Sequence, residues 1–379
     1  MTDLVVVSLE RWDDVWRRNQ HLVAQLLRAD PGLRVLFVEP PADPVHDLRS
    51  RRRPQFGHRL RELPEIAAGR LHAVRPVKWM PRRLDPGADH RLARAVMRAA
   101  SRLGMRHPLL WINDPGLASL AELSGWPTLY DITDDWLAAD RPDAERRRTA
   151  ANEATLFRLA GEVVVCSPEL ARRKGDLRRV ELIPNAVDVA DYRRPRPRPA
   201  DLPAGPVALY LGTVHGDRID ARVCEATALA LGTRGTLVLV GPNLLDAERL
   251  RRLERAGVRL LGPRRRDDVA GYLQHADVLV VPHVVDAFTD SLDPIKLYEY
   301  RAVGRPVVST PVAGFRDAND PLITVAAGAA FADAVVRSVP SPTRFPDDAD
   351  APVPDWADRA SEMAAVLRRL AAGHGGGAP

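Results

Sequence analysis

The chain has 379 residues, of which 45% are apolar and 28% charged, and its formal net charge is +5. A single hydrophobic core stops growing below this length, so we expect about two domains. No run reaches the roughly 18 apolar residues that would span a bilayer, which argues against an integral membrane protein.

Cysteine content and the start of the sequence bear on the compartment. Cys166 and Cys224 are too few for a disulfide framework and lack the spacing of a zinc site. The first residues show neither a basic flank nor a small-residue cleavage site, so we expect a cytoplasmic protein without a secretory signal.

Basic residues gather in two clusters, at 49–53 and at 264–266. Such clusters are typical of solvated basic faces, and they also suit contact with anionic lipid or phosphate. No nucleic-acid-binding motif accompanies them. We therefore expect no nucleic acid partner, and two alternatives stay open: a solvated face, or peripheral contact with the inner face of the membrane.

Short apolar runs alternate with longer amphipathic stretches in the first half of the chain. The runs predict buried strands and the stretches predict helices. This alternation indicates an α/β domain with helices on both faces of a mostly parallel sheet. The predicted strands are 4–7, 35–38, 109–112, 128–130 and 163–165, and the predicted helices are 16–28, 90–103 and 144–159.

A proline-rich segment interrupts this pattern. Arginine and proline alternate from 193 to 199, which is unfavourable for a helix and predicts a linker over 191–205. It would separate an N-terminal domain, 1–190, from a second doubly wound domain, 206–345. Strands are predicted there at 207–211, 237–240, 259–261, 278–281, 306–309 and 322–325. An amphipathic helix at 355–371 is expected to cross back onto the first domain.

Ligands of open parallel sheets bind outside the carboxyl ends of the strands. In the second domain these positions carry Gly212, Gly241 and Gly262, the last followed by Pro263. Glycine allows a phosphorylated ligand to approach the backbone, although each glycine alone is also compatible with an ordinary turn. Their recurrence at three strand ends favours a ligand site.

The segment 290–309 is the most informative part of the sequence. A loop enters a predicted helix, whose free N–H groups and positive dipole end favour a diphosphate, and Lys296 adds a full charge. Glu299 lies three residues further on the same helical face, where a carboxylate can accept hydrogen bonds from two ribose hydroxyls. The alternative is a Lys–Glu pair on a solvated helix.

Two loops of the N-terminal domain are candidates for binding a second substrate. Their side chains suit a sugar ring, a phosphate or acceptor hydroxyls, and the alternatives are a surface helix for the first loop and a helix cap for the second. The candidate residues are Trp12, Arg17 and Arg18 after the first strand, and Asp131, Asp134 and Asp135 after the fourth.

With these residues considered together, the chain resembles the GT-B glycosyltransferases, specifically the retaining, family 4-like group found in bacteria. The resemblance is carried by blocks at 163–167, 185–188, 258–262, 268–283 and 296–309, in family order. It implies two Rossmann-like domains facing across a cleft. A nucleotide-sugar would bind the C-terminal domain, and an acceptor would bind the N-terminal domain.

The resemblance also implies particular donor contacts. Glu299 matches the second glutamate of the family's Glu-x7-Glu motif and would bind the ribose, whereas the first glutamate falls at Ser291. Substitutes for its contact to the donor sugar would be Asp290, Asp293 or the loop backbone around Leu292.

Further family positions differ here. The Gly-Arg that follows the first strand of the family's donor domain reads Gly212-Thr213 here. Arg218 falls near the family's second basic position, and His215 is an additional candidate hydrogen-bond donor to the diphosphate. The family's His-Asp reads Tyr130-Asp131, so Asp131 is the remaining candidate catalytic residue of that pair.

The implied reaction is sugar transfer with retention of anomeric configuration. Arg218 and Lys296 would stabilise the leaving diphosphate, so we expect neither a metal nor a cofactor. The acceptor would be a cell-surface glycan or lipid precursor, or a natural product. Two rival functions remain: a sugar-nucleotide epimerase, for which His215 and His283 are candidate bases, and a non-catalytic nucleotide-sugar-binding partner protein.

Overall fold

The computed structural model describes residues 2–50, 53–58, 60–139, 141–339 and 352–375. The chain forms two compact units, Met1–Pro184 with Trp356–Pro379, and Asn185–Asp355. Each unit has its own sheet of mainly parallel strands packed against helices. The expected α/β fold class is confirmed.

The first unit is built on an eight-stranded sheet in the order β3-β4-β2-β1-β5-β6-β7-β8. Neighbouring strands are parallel except β3, which runs antiparallel to β4. The strands are β1 (Asp3–Val7), β2 (Arg34–Val38), β3 (Arg61–Glu62), β4 (Leu71–Val74), β5 (Leu109–Ile112), β6 (Thr128–Ile132), β7 (Glu162–Val165) and β8 (Glu181–Leu182).

Helices connect these strands and cover the sheet. They are α1 (Arg18–Ala29), α2 (Pro44–Arg49), α3 (Pro64–Ala67), α4 (Ala88–Arg102), α5 (Ala118–Ser124), α6 (Asp143–Leu159) and α7 (Pro168–Gly175), with a 3₁₀ turn at Pro115–Leu117. The C-terminal helix Trp356–Gly375 packs beside α1, where the Trp356 ring stacks on His21 at 4.8 Å between centroids. That helix therefore belongs to the first unit.

The central strand β1 shows why this sheet forms. Its residues Leu4 to Val7 are all buried, as expected for a β-branched run covered on both faces. β1 lies between β2 and β5, so the chain leaves it first towards one edge of the sheet and later towards the other. The carboxyl ends of β1 and β5 therefore form the switch point at which doubly wound folds bind ligands.

The second unit has a six-stranded parallel sheet in the order β11-β10-β9-β12-β13-β14. Its strands are β9 (Val207–Leu211), β10 (Thr236–Val240), β11 (Arg259–Gly262), β12 (Val278–Val281), β13 (Val307–Ser309) and β14 (Ile323–Val325). Its helices are α8 (Val189–Arg193), α9 (Ala221–Leu231), α10 (Ala247–Arg255), α11 (Arg266–Gln274), α12 (Ile295–Val303) and α13 (Ala329–Arg337), with 3₁₀ turns at Gly232–Arg234 and Thr289–Ser291. The switch point lies between β9 and β12.

The segment predicted as a linker belongs to the second unit, whose boundary lies after Pro184 rather than after residue 190. The amide of Gln274, at the end of α11, donates to the carbonyls of Tyr192 and Arg194 at 2.7 and 2.8 Å. Its oxygen accepts from the Arg196 N–H at 2.9 Å. The prolines prevent a helix here, but these hydrogen bonds hold the extended backbone against the domain. The linker interpretation is therefore wrong.

Candidate functional site

Lys296 lies at the switch point of the second sheet. Helix α12 begins at Ile295, and the Lys296 ammonium is 5.3 Å from the centroid of the Tyr210 ring on β9. A Cβ at Gly212, directly after β9, would lie 2.5 Å from Lys296 Cε and 2.7 Å from its Nζ. Glycine at this position therefore makes room for the lysine side chain at the strand end.

Arg218 lies near the same two strand ends. Its guanidinium is 5.5 Å from the centroid of the Phe288 ring, and its carbonyl accepts from the Val284 N–H at 2.8 Å. His283, which follows β12, lies 3.2 Å from the Tyr210 hydroxyl. Burial lowers the pKa of His283 well below its usual value, and the charges of Lys296 and Arg218 lower it further. Both predicted phosphate-binding cations are thus close to one histidine.

Glu299 is positioned by a residue that sequence reasoning missed. The Tyr192 hydroxyl, on α8, donates to Glu299 Oε1 at 2.6 Å. Burial raises the pKa of the Glu299 carboxyl, while the Tyr192 hydrogen bond and the Lys296 charge lower it. Because 107 residues separate the two side chains along the chain, no local pattern could have indicated the pair.

The acidic and hydroxyl side chains of the loop before α12 already have partners. Asp290 forms an ion pair with Arg316 at 2.7 Å, and Ser291 is fully buried with its hydroxyl donating to the Phe288 carbonyl at 2.7 Å. Asp293 accepts hydrogen bonds from the Asn185 N–H and from the Tyr298 hydroxyl. The Ser291 hydroxyl, at the position of the family's first glutamate, is thus bonded within its own loop. Leu292 is half-buried, and its backbone lies beside the start of α12.

The three strand-end glycines differ in what they permit. A Cβ at Gly241 would lie 2.1 Å from the Gly212 carbonyl oxygen, so these two glycines allow two loops to approach each other. Gly262 has a φ of +74° with open space at its Cβ position, which fits the turn alternative, and Pro263 after it is exposed. The sequence predicted that all three glycines let a ligand approach the backbone. For Gly241 the structure gives another reason, because the missing Cβ lets its loop pack against the backbone of Gly212.

The remaining donor candidates lie in the loop after β9. The Thr213 carbonyl accepts from the Tyr210 hydroxyl at 3.3 Å. His215 lies at the surface with its Nδ1 accepting from the Asp217 N–H at 3.2 Å. Both residues are near the strand end that carries Gly212.

In the first unit, two predicted acceptor residues bind each other. Arg18 and Asp131 form a buried ion pair, with 3.3 Å between Arg18 Nε and Asp131 Oδ2 and 3.4 Å between Arg18 Nη2 and Asp131 Oδ1. The Trp111 indole also donates to Asp131, at 3.1 Å. A fully buried carboxylate with these partners is not available to a substrate. The predicted catalytic and acceptor roles of Asp131, and the acceptor role of Arg18, are wrong.

Trp12 and Asp135 are also part of the interior. The Trp12 ring is 7% exposed and packs edge-on against Phe37, with 4.9 Å between centroids, so it is not an exposed platform for a sugar. Asp135 is buried in ion pairs with Arg173 at 2.8 Å and Lys174 at 3.4 Å. Both side chains therefore pack in the interior of the first unit, and the prediction that they bind the acceptor is wrong.

A polar network lies at the switch point between β1 and β5. The Asn19 amide donates to Ser8 Oγ at 3.0 Å and to Asn113 Oδ1 at 2.8 Å. Asn113 in turn donates to the Thr133 hydroxyl at 3.1 Å, and that hydroxyl donates to Asp134 at 3.2 Å. Sequence reasoning did not single out Asn19 or Asn113, although both lie at or just after predicted elements.

Glu10 is at the outer edge of this network. It is half-buried, and the Ser8 hydroxyl is 3.5 Å from its Oε2. Burial raises the pKa of Glu10 to about 7, Arg17 lowers it, and the nearby carboxylates of Asp134 and Asp13 raise it. The two predicted acceptor residues that remain partly exposed, Arg17 and Asp134, are therefore close to Glu10.

Within the described residues, no group of three or more His, Cys, Asp or Glu side chains is placed to hold a metal ion. Among the helices of that part of the chain, none combines the length and the apolar character needed to cross a bilayer.

Comparison with known families and proteins agrees with this geometry. Residues 205–339 match the family described as "Glycosyl transferases group 1". A curated relative from Bacillus subtilis (strain 168), "Putative teichuronic acid biosynthesis glycosyltransferase TuaH", is 25% identical over 218 residues, which cover 53% of this chain. The chain matches only 55% of that relative's length.

Solved structures resemble the whole chain. The "OtsA apo structure" superposes with a TM-score of 0.63 at 12% identity, covering 98% of this chain and 95% of that one. The Anabaena protein Alr3699/HepE, crystallised in complex with UDP-glucose, superposes with a TM-score of 0.64 at 14% identity, covering 97% of this chain and all of that one. At such low identity the likeness shows the fold.

The fold of the protein follows from these findings. The chain has the GT-B fold, and its second unit carries a group 1 glycosyltransferase domain. The fold that the resemblance of its sequence blocks implied is therefore confirmed.

Proposed function

We propose that this protein transfers a sugar from a nucleoside diphosphate donor to an acceptor hydroxyl or a similar group. The observation that carries the proposal is the convergence of Lys296, Arg218 and the N-terminus of α12 at the switch point of the second sheet. Two cations and the positive dipole end of a helix suit a diphosphate. Glu299, one turn into the same helix, is suited to the ribose hydroxyls.

The donor is proposed to be a UDP-sugar. The Anabaena relative was crystallised with UDP-glucose, and a further structure of the same fold is titled as bound with UDP-2-fluoro glucose. The donor sugar itself would be held by backbone groups of the loop around Leu292, because Asp290, Ser291 and Asp293 have internal partners.

The chemical step needs stabilisation of the leaving group. As the bond from the anomeric carbon to the diphosphate breaks, negative charge grows on the phosphate oxygens, where Lys296 and Arg218 act without a metal or cofactor. A bond forms between the anomeric carbon and the acceptor oxygen. With retention of configuration, as the family resemblance implies, the acceptor proton passes to the leaving phosphate, so no protein base is required.

We propose that the first unit binds the acceptor at the end of β1. Arg17 and Asp134 stay candidates because they are partly exposed, and Glu10 joins them through its proximity. The buried hydrogen bonds from Asn19 to Ser8 and Asn113 would keep this edge rigid. The name of the Bacillus relative supports a cell-surface glycan or its lipid precursor as acceptor, and a natural product is the alternative.

The test is a panel of nucleotide-sugars, each with and without candidate acceptors, monitored for released nucleoside diphosphate and for product by mass spectrometry. Transfer dependent on an acceptor supports the proposal. Conversion of the donor into an epimer would establish the rival epimerase. Donor binding with neither reaction across the panel would establish the non-catalytic binding protein instead.

Variants locate the donor site. Lys296→Ala and Glu299→Ala should each weaken nucleoside diphosphate binding about tenfold or more, because both remove charge-assisted hydrogen bonds. Arg255→Ala, at the exposed end of α10, serves as the control and should bind as the wild type does. Calorimetry on folded protein measures all three. Unchanged affinity in both site variants would refute the assignment.

A chelator tests metal independence. We expect turnover to persist in excess EDTA, since Lys296 and Arg218 supply the positive charge at the phosphates. Activity that is lost with the chelator and restored by magnesium or manganese would contradict this part of the proposal and leave the donor-site assignment intact.

We also propose a cytoplasmic location with peripheral attachment to the inner face of the membrane. The basic cluster at 264–266 does not support that attachment, since Arg264 pairs with Asp201 and donates to the Tyr272 hydroxyl, and Arg266 lies 3.9 Å from Asp188. Of the cluster at 49–53, Arg51 and Arg52 lie outside the described residues.

A further inference from the structure

Two segments of the first unit that lie side by side carry exposed apolar side chains. One segment includes α2 and the loop after it, and the other follows β4. We name the set the aromatic patch; its members are Leu48 (61% exposed), Phe56 (64%), Trp79 (63%), Met80 (46%) and Leu84 (61%). Single exposed apolar residues are ordinary, but a group that contains two aromatic rings marks an interaction surface.

Backbone contacts hold the two segments of the patch together. Ala42 and Val77 form a parallel bridge, and the Lys78 N–H donates to the Ala42 carbonyl at 2.8 Å. The Phe56 and Trp79 rings contact each other, with 6.2 Å between centroids. The two segments are therefore held side by side, with one ring from each in contact.

The charges around the patch are positive. Arg49, Arg53 and Arg83 are exposed, and in the part of the chain that the structure describes no acidic side chain ion-pairs with them. Neighbouring cations do have partners: Lys78 pairs with Asp43, and Arg82 pairs with Asp89 at 2.8 Å. The three remaining arginines give this surface an excess of positive charge.

We propose that the aromatic patch docks on an anionic lipid bilayer. Tryptophan and phenylalanine suit the boundary between headgroups and acyl chains, and arginines beside them are attracted to anionic headgroups. A second copy of the chain fits less well, because self-association through this patch would bring the same arginines together. This docking supplies a site for the peripheral attachment proposed above. It rests on no feature of the donor site and holds whether or not the chain transfers sugars.

The experiment is flotation of the full chain with vesicles of phosphatidylcholine alone or mixed with phosphatidylglycerol. We expect binding to the mixed vesicles and little to the neutral ones. Phe56→Ser with Trp79→Ser should reduce binding about tenfold or more, because it removes most of the apolar area that inserts. Arg49→Glu with Arg83→Glu should reduce it by about tenfold or more, because each arginine near an anionic surface contributes about fivefold.

Matched controls separate docking from general effects of substitution. Leu177→Ser and Leu229→Ser replace residues that are 64% and 65% exposed but lie outside the patch. Arg251→Glu with Arg255→Glu reverses two exposed charges on α10. All three should float as the wild type does. Melting temperature and nucleoside diphosphate affinity, measured on each variant, should not change, which keeps this test independent of the donor-site proposal.

Two results would overturn the proposal. One is flotation that is equal with both kinds of vesicle and unaffected by the patch variants. The other is a wild-type dimer in analytical ultracentrifugation that the Phe56→Ser, Trp79→Ser variant converts to a monomer, since the patch would then be a protein interface.

Discussion

Arg18 and Asp131 are 113 residues apart in the sequence and form a buried ion pair between the start of α1 and strand β6. Asp131 also accepts from Trp111, and Arg18 donates to the Pro184 carbonyl at 3.3 Å. Both residues look like acceptor ligands in the sequence, because a charged side chain after a strand is a common sign of a binding site. Their mutual contact gives them a structural role.

The first prediction concerns this pair. Arg18→Ala should lower the free energy of unfolding of the first unit by about 3–5 kcal/mol, because it leaves the Asp131 carboxylate buried without its partner. Urea denaturation followed by tryptophan fluorescence measures the loss. The control is Arg17→Ala, at the partly exposed neighbouring position, with an expected loss below about 1 kcal/mol. A stable Arg18→Ala protein with an altered acceptor Michaelis constant would restore the binding role.

The second prediction uses the contact between Gly212 and Lys296. Gly212→Ala should weaken nucleoside diphosphate binding about tenfold or more, because the new Cβ would occupy the place of Lys296 Cε and Nζ. Its φ of +141° adds backbone strain. Calorimetry gives the affinity and the melting temperature reports the strain.

Gly262→Ala is the matched control for that substitution. Its φ of +74° gives comparable left-handed strain, but nothing lies within 4 Å of the added Cβ. We expect a lower melting temperature with nearly unchanged nucleotide affinity. If both variants lost affinity equally, strain rather than the position of Lys296 would be the cause, and the steric argument would fail.

The third prediction concerns the hydrogen bond from Tyr192 to Glu299. This bond lowers the pKa of a carboxyl that burial raises, so Tyr192→Phe should raise the pKa of Glu299 further. Glu299 would then be protonated at higher pH, and the pH below which nucleotide affinity declines should move upward. Isothermal titration across pH 4 to 8, a range chosen around the ordinary carboxyl pKa of about 4.3, measures this midpoint.

Tyr272→Phe controls for the loss of a phenol from the same unit. Its hydroxyl contacts Arg264 and Asp201 rather than Glu299. It should leave the midpoint unchanged. A Tyr192→Phe midpoint equal to that of the wild type would show that ionisation of Glu299 does not govern binding.

Strand positions were predictable because apolar runs report burial directly. β1, β5, β9 and β12 all lie within a residue of the predicted bounds, since each is a continuous run covered on both faces. β3 and β8 were missed because each has only two residues, and three of these four residues are charged. They are strands because they pair with a neighbouring strand, and such pairing leaves no periodic pattern in the sequence.

The candidate site divides in the same way. Lys296 and Glu299 were predictable because their spacing and their place on a helix are local properties. Tyr192 and Asn113 were not, because their contacts join distant segments. Trp12 and Asp135 were misread because a polar or aromatic residue after a strand can equally bind a ligand or pack in the interior. Only its neighbours in the fold decide between the two, and for these residues they are Phe37 and Arg173.

The last prediction concerns Glu10 and the pH dependence of stability. Burial raises its pKa from 4.5 to about 7 in the folded protein. Between these two values the folded state binds more protons at Glu10 than the unfolded state does, so its contribution to the free energy of unfolding falls as the pH rises. Above pH 7 the whole cost of ionising a buried carboxyl is present.

Glu10→Gln removes that cost while keeping the shape of the side chain. We expect the variant and the wild type to be equally stable near pH 4, and the variant to be more stable at pH 8 by on the order of 2 kcal/mol. Urea titrations at pH 4, 6 and 8 follow the difference. Glu65→Gln, an exposed glutamate at the start of α3, is the control and should give no such trend. If Glu10→Gln changed stability equally at all three pH values, the effect would come from hydrogen bonding at Ser8 rather than from the ionisation of Glu10.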